Sequence, residues 1–392
     1  MNPFNFGAVA AGRWFVDRQD ELHTLREETL SGGKILLLSP RRYGKTSLAF
    51  KLMEELRQNP ALAVVYMDTI ACVSLHQWSA RYSELISKEL ESTAEKILAF
   101  VKELLPSLRP QIQMTSEGEI ALQIGTQAPH SDATDVFEKV LDFAEKAALK
   151  KRKRIIVILD EFQALLSLDG VRDGARLLWS MRSKIQHHRH VSYVLAGSQK
   201  HLLEQMTLPK ESPFFRMLTP LHLGKIPEAI FSEFIGRAFR KEGVSIAAED
   251  LNFLINRAGN VPYYVLNLSH EVYAQAKEER RKADLHLIDQ CVERIAQRNH
   301  PQYEREWELL SGVQRNVLRA AADGQTRFLS GEIMNAYGLR SIGGVQKALH
   351  FLIESQYLVK TEKGYEFDDQ WFRHWIWRQP WPPLPTNFLV RR

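Results

Sequence analysis

Two short stretches carry residues that could do chemistry together. In 34–50, KILLLSPRRYGKTSLAF, an apolar run leads into a turn that closes on Gly44, Lys45 and Thr46. In 155–166, IIVILDEFQALL, a second apolar run ends in Asp160 and Glu161. A turn with Gly-Lys-Thr at the start of a helix can hold phosphates through backbone N–H groups. The usual spacing is G-x-x-x-x-G-K-[ST]. Here Ser39 stands at the first glycine, and Pro40, Arg41, Arg42 and Tyr43 fill the loop. Most loop side chains point away from the phosphates, so this filling is sterically acceptable. Ser39 is small enough for the strand exit. Gly44 allows backbone approach, Lys45 supplies charge for the β- and γ-phosphates, and the Thr46 hydroxyl suits Mg2+. Ser39, Arg42, Tyr43 and Ser47 complete the expected phosphate-binding set with these three.

Asp160 would hold Mg2+ directly or through water, and Glu161 would polarise an attacking water. As an acid at a helix start, Glu161 would also suit the dipole. Ser198 or Gln199, in VSYVLAGSQ, could meet a γ-phosphate or the water, or simply form a turn. Arg216, in SPFFRMLTP, could sense γ-phosphate charge, or be an ordinary solvated arginine. The HHRH run at 187–190 invites a metal reading, but it ends a helix and reads as surface capping. The basic run 150–154 reads as a solvated helix end, where cations suit the carbonyl dipoles.

The elements that must position these residues follow from the apolar pattern. Residues 20–30 have helical spacing, stopped by Gly32 and Gly33. The runs 35–38, 61–67 and 155–159 read as strands buried on both faces, and VSYVLAGSQ reads as a fourth strand ending in Gly197, Ser198 and Gln199. Helical tracts are expected over 46–58, 74–105, 134–149 and 171–187. Strands alternating with helices imply a parallel sheet, whose ligands bind beyond the carboxyl ends of the strands. Lys45, Asp68, Asp160 and Ser198 all fall there. Residues 106–132, punctuated by Pro106, Pro110, Gly118 and Pro129, read as a β-hairpin insertion. Residues 227–297 are helical in pattern. From about 310, three helices and an alternating stretch around Lys363 and Gly364 make a winged helix-turn-helix. The prolines of 379–392 suit an extended tail.

The chain has 392 residues, enough for two or three domains at roughly 100–200 each. Its 44% hydrophobic and 25% charged content is that of a globular protein, and its net charge of +5 permits nucleic-acid contact without arguing for it. The two cysteines, Cys72 and Cys291, lie far apart and form no ligand spacing. The N-terminus lacks the apolar core of a signal peptide, and no run approaches ~18 apolar residues. A cytoplasmic protein without membrane contact is expected.

Taken in order, NPFNFG, FVDRQDELHTL, LLLSPRRYGKTSL, VILDEFQ, YVLAGSQ, FFR and GNVPYY, followed by a winged helix, resemble the archaeal-type ATPases of the STAND class of P-loop NTPases. These are relatives of AAA+ proteins and of origin-recognition initiators. The resemblance covers the chain to about residue 378. It implies an α/β P-loop NTPase fold of the ASCE type, with sheet order 5-1-4-3-2 and a fifth strand near 221–223. The domains would be a P-loop ATPase domain over 1–225, a helical lid over 226–300 and a winged helix over 301–378. FVDRQDEL matches F-x-G-R-E-x-E-L, so Phe15, Val16 and Arg18 would line the adenine and ribose end. Asp17 stands where the family has glycine. Gly259 to Pro262 match the G-N-x-P segment of the lid, which would place Pro262 near the base. Arg216 matches the arginine thought to read the γ-phosphate.

The first functional reading is an ATP-dependent molecular switch with slow Mg2+-dependent hydrolysis, cycling between ATP and ADP. The second is an ATP-gated DNA-binding protein using Arg340, Gln346, Lys347, His350, Lys360 and Lys363 of the winged helix on duplex DNA. Residues 299–392 carry 12 Lys and Arg against 10 Asp and Glu, a weak excess for a DNA-binding face. The third is a nucleotide-binding scaffold without hydrolysis, against which Glu161 argues. A protein partner or self-assembly fits the switch.

Overall fold

The computed structural model describes residues 2–7, 15–105, 108–114, 120–126, 133–361 and 364–380. The chain divides into two compact units, one from Val9–Gly224 and one from Met1–Ala8 together with Lys225–Arg392. Lys363 and most of the proline-rich tail lie outside the described residues.

The first unit is a sheet wrapped by helices. Its strands are β1 (Lys34–Leu38), β2 (Leu62–Asp68), β3 (Leu108–Met114), β4 (Ile120–Thr126), β5 (Arg154–Asp160), β6 (Val191–Gly197) and β7 (Thr219–His222). Five of them form one parallel sheet in the order β2-β5-β6-β1-β7. Counted without β3 and β4, that is the expected 5-1-4-3-2. Strands β3 and β4 pair antiparallel, Leu108 opposite Thr126 and Met114 opposite Ile120, as a separate ribbon.

The apolar runs are continuous because both sheet faces are covered. Leu36, Val65, Val157, Leu159 and Leu195 face one core, completed by Trp78, Tyr82 and Phe137. Ile35, Leu37, Val64, Ile156, Ile158 and Val194 face the other, completed by the helices Gln19–Leu30 and Lys45–Leu56. The tract 74–105 divides into two helices, Leu75–Leu90 and Ala94–Leu104. Thr93 restarts the second as an N-cap, its hydroxyl accepting from the Lys96 N–H.

Two expectations need correction. His188 does not cap the surface: it is 5% exposed, and its Nδ1 lies 2.9 Å from the Tyr193 hydroxyl on β6. The strand following HHRH turns this histidine inward. Residues 2–7 group with the second unit rather than with the sheet. Phe4, 1% exposed, packs its ring 4.7 Å from that of Phe239, and Asn2 donates to the His270 carbonyl at 2.9 Å.

The second unit combines the helical segment and the winged helix. The wing is β8 (Leu358–Thr361) paired antiparallel with β9 (Gly364–Phe367). The helix Ile342–Glu354 buries Val345, Leu349 and Leu352 as its spacing predicts. The final helix, Gln370–Arg378, ties the winged helix to the helical segment. Trp371 Nε1 donates to Asn267 Oδ1 at 2.9 Å, and Tyr264 donates to the Asp368 carbonyl at 3.0 Å. His374 Nε2 donates to the Arg257 carbonyl at 2.7 Å.

Burial, with the nearby charges of Arg373, Arg257 and Arg378, lowers the His374 pKa to about 4 against the bond to Arg257. A histidine whose folded pKa lies below its unfolded one stabilises the fold at high pH; that contribution is lost as pH falls from the unfolded value through the folded one. We expect His374→Gln to flatten the fall in melting temperature between about pH 6.5 and pH 4. Thermal melts of both proteins across that range check it.

Candidate functional site

Beyond the carboxyl ends of β1, β5 and β6, five expected residues meet in one network. Gly44 opens the helix Lys45–Leu56 with φ 93°, a left-handed value that favours glycine. A Cβ there would have no atom within 4 Å, so it is the left-handed backbone and not crowding that favours glycine. Ser39 is fully buried at the strand exit, as its small size allows. Arg41 and Arg42 are exposed, and Tyr43 is half-buried. Ser47 lies half-buried in the first turn of the same helix.

Lys45 is 6% exposed and Asp160 4%. The Lys45 ammonium pairs with Asp160 Oδ1 and lies 3.0 Å from Glu161 Oε1. Asp160 Oδ1 also accepts the Glu161 N–H at 2.9 Å. Its Oδ2 accepts from the Thr46 hydroxyl at 3.2 Å and from the Tyr66 hydroxyl at 2.7 Å. Glu161 stands at φ 49°, and the strained turn aims its carboxylate back across the strand ends. Glu161 Oε2 accepts from Gln163 Nε2 at 2.6 Å, the Ser198 N–H at 3.1 Å and the Ser198 hydroxyl at 3.0 Å.

These contacts set the electrostatics. Burial pushes the Glu161 carboxyl up, but the Lys45 charge and the donors Gln163 and Ser198 outweigh it, leaving the pKa below the ordinary value. Burial raises the Tyr66 phenol well above its usual range, and the Asp160 carboxylate adds to that, so Tyr66 remains a donor. Asp68 pairs in register with Asp160 and caps its own turn by accepting from the Ile70 N–H at 3.0 Å. Burial and then the charges of Asp160 and Glu161 raise its pKa, although the Ile70 bond opposes them.

Other expected site residues stand elsewhere. Arg18 turns inward, 5% exposed: it donates to the Tyr43 carbonyl at 3.4 Å and to the Gly224 carbonyl at 2.5 Å, and pairs with Glu21 at 2.8 Å. It therefore holds the backbone of the phosphate loop. Asp17 has φ 57°, a left-handed backbone that glycine adopts most readily. Phe15 packs on the second apolar core of the sheet, and Val16 is half-buried. Arg216, exposed at φ 57°, lies over the Phe215 ring at 5.1 Å, outside the Lys45 network. Gln199 precedes the helix Lys200–Thr207. Pro262 begins the helix Pro262–Glu278 of the other unit. Tyr66 and Gln163 were not expected. Tyr66 lies two places before Asp68 on one face of β2, but only the register of β2 on β5 brings its hydroxyl to Asp160.

A buried lysine opening a helix, with an Asp-Glu pair at the end of a parallel strand two places away in the sheet, defines a P-loop ATPase carrying a C-terminal winged helix. Residues 15–268 match the family described as an ATPase domain predominantly from Archaea. Residues 301–378 match a probable winged helix domain. The first match spans more than half of the chain, and the chain belongs to that ATPase family. No curated protein matches it in sequence. Among solved structures, the Walker-type ATPase paby2304 of Pyrococcus abyssi is similar at 19% identity, covering 95% of this chain and 99% of that one, with a TM-score of 0.64. The Aeropyrum pernix ORC2 protein in its ADPNP-ADP complexes is 13% identical over 93% and 94%, with a TM-score of 0.53. The Aeropyrum pernix ORC1 protein in complex with DNA is 14% identical over 93% of each chain, with a TM-score of 0.50. These likenesses show the fold. No helix among the described residues is long and apolar enough to cross a membrane.

Lys45 neutralises two carboxylates in a largely dry site. Its removal should leave them uncompensated, at a cost of about 3 kcal/mol, the scale for breaking a buried pair. We expect Lys45→Ala to fold but melt earlier near neutral pH, and added Glu161→Gln to recover part of the loss. Denaturant titrations of the two variants and the parent measure both changes.

Proposed function

We propose that this chain binds ATP with Mg2+ and hydrolyses it slowly, as a nucleotide-dependent switch. The observation that carries this reading is the single network of Lys45, Thr46, Asp160, Glu161 and Ser198 at the carboxyl edge of a parallel sheet. The residues fit the ligand. Gly44 takes left-handed backbone at the start of the helix, Lys45 can meet the β- and γ-phosphates, and Thr46 and Asp160 carry the oxygens that would hold Mg2+. The ion, when bound, supplies charge stabilisation at the phosphate oxygens. That the Aeropyrum pernix ORC2 protein was solved with ADPNP and ADP supports an adenine nucleotide here.

The switch follows from the lysine. Its ammonium serves two carboxylates in the network, and phosphates would compete for it. A nucleotide therefore meets different contacts in the two arrangements, which is what shifts an equilibrium. Arg216 is proposed as the γ-phosphate reader and Phe15 and Val16 as base-side contacts, with Arg18 holding the loop. The order of motifs supports placement in the STAND class.

Two substitutions test this. Lys45→Ala should abolish ATP binding, and an undiminished affinity in the folded variant would refute the phosphate-loop assignment. Glu161→Gln should retain ATP and Mg2+ but stop turnover, since Asp160 and Thr46 remain. Nucleotide binding and phosphate release measured on both variants decide it.

A second reading, duplex DNA at the winged helix, has one specific support. Arg340, Gln346, Lys347, His350 and Lys360 are all exposed. The Aeropyrum pernix ORC1 protein was solved in complex with DNA, which is compatible with this reading. His350 lies 3.2 Å from Glu354, which dilutes the positive face. If this face binds phosphates, Lys347→Ala with Lys360→Ala should weaken binding to all sequences and flatten the log–log salt dependence by about two units. Unchanged affinity across a salt titration would assign the face to a protein partner or to self-assembly.

A further inference from the structure

We propose that Gln163 is a positioning residue for Glu161, anchoring Oε2 so that Oε1 is the oxygen presented to the attacking water. The proposal rests on the hydrolysis reading above and deepens it. Gln163 lies in the 3-10 turn Phe162–Ser167 that follows β5, and is 4% exposed. Its side-chain amide donates from Nε2 to Glu161 Oε2 at 2.6 Å. The amide can face only this way, because an ionised carboxylate accepts and cannot donate.

The two oxygens of Glu161 differ in their company. Oε2 receives Gln163 and both donors of Ser198, all from the protein itself. Oε1 receives Lys45, the one partner that nucleotide phosphates would draw away. Transfer of Lys45 to phosphate would therefore uncover Oε1 and leave Oε2 clamped. The clamp removes rotational freedom from a side chain whose own backbone is left-handed. In the reaction, the water oxygen bonds to the γ-phosphorus while a water proton passes to Oε1. The bond to the ADP oxygen breaks, and ADP leaves with that electron pair.

Gly197 at the end of β6 is the seat of the clamp. A Cβ there would lie 2.1 Å from Gln163 Oε1, so any larger residue would push the amide off its place. Among the described residues Gln163 Oε1 has no hydrogen-bond partner. The amide is thus held for what its nitrogen does, since an apolar side chain of this shape would leave no buried acceptor unmet.

The test uses Gln163→Leu in the full chain, with Gly197→Ala as a second variant that displaces the amide while keeping it. Three quantities are measured: kcat and KM for ATP across pH, ADP affinity, and the titration of the Glu161 carboxyl carbon by 13C NMR without nucleotide, assigned through Glu161→Gln. We expect kcat to fall about 10- to 100-fold, the scale for losing a partner that orients a ligating group. KM and ADP affinity should hold. The acid limb of kcat and the Glu161 titration should both move to higher pH, because a donor favouring the ionised form is gone. Gly197→Ala should move them in the same direction. A folded Gln163→Leu with parental kcat and acid limb overturns the proposal. If the parent binds ATP without turning it over, the hydrolysis reading fails first, and an unmoved Glu161 titration in Gln163→Leu then overturns the clamp. Should Gln163→Leu not fold, Gly197→Ala decides by the same criteria.

Discussion

Two carboxylates follow one another where the apolar run 155–159 of a buried strand ends, and the groups around them make that tolerable. Asp160 and Glu161 would repel each other in a setting where burial already disfavours charge. The Lys45 ammonium answers both, and the remaining oxygens are met by Thr46, Tyr66, Gln163 and Ser198. A buried ion pair of this kind is weak support for stability, because desolvation offsets most of the attraction. It is better understood as a poised arrangement. The same lysine that compensates the carboxylates is the one a phosphate would claim.

The sheet makes this possible through register. Asp68 and Asp160 lie side by side on β2 and β5, and Tyr66 stands two residues back on the same face as Asp68. The diagonal reach from Tyr66 to Asp160 needs a large side chain, which tyrosine supplies with a hydroxyl at its tip. Phe50, on the helix that Lys45 opens, packs its ring 4.9 Å from that of Tyr66. The phosphate loop and the neighbouring strand are thus braced against each other behind the carboxylates.

How much of this was legible follows from where each signal resides. The phosphate loop and the Asp-Glu strand are local patterns: an apolar run, then a few residues of fixed type. Sheet order came from the resemblance and held, because β3 and β4 lie outside the main sheet and leave its order undisturbed. The burial of Val345, Leu349 and Leu352 was readable from helical spacing. Tyr66 and Gln163 were not, since their contacts depend on which strand lies alongside and at what register. His188 failed for a related reason. Its neighbours in sequence suggest a helix end, but its partner is Tyr193 on the next strand. Phe4 shows the same limit over a longer range, because it finds Phe239 and Tyr273 more than two hundred residues away.

Within the helical unit, the segment around Gly259 shows how a local motif becomes a joint. Gly259 and Asn260 both take left-handed backbone, at φ 64° and 53°. A Cβ on Gly259 would lie 2.6 Å from the Gln370 side chain, at the start of the final helix. Asn260 donates to the Ile226 carbonyl at 3.1 Å, close to where the unit resumes at Lys225. One turn therefore meets both the winged helix and the beginning of the helical segment. Tyr264, Asn267 and His374 add bonds across the same boundary. The two parts share buried partners instead of a flexible linker, so displacing one strains the other. On the sheet side, Arg18 bonds at once to Tyr43 in the phosphate loop and to Gly224, the last residue before the chain passes over. A single guanidinium therefore ties the loop backbone to that residue.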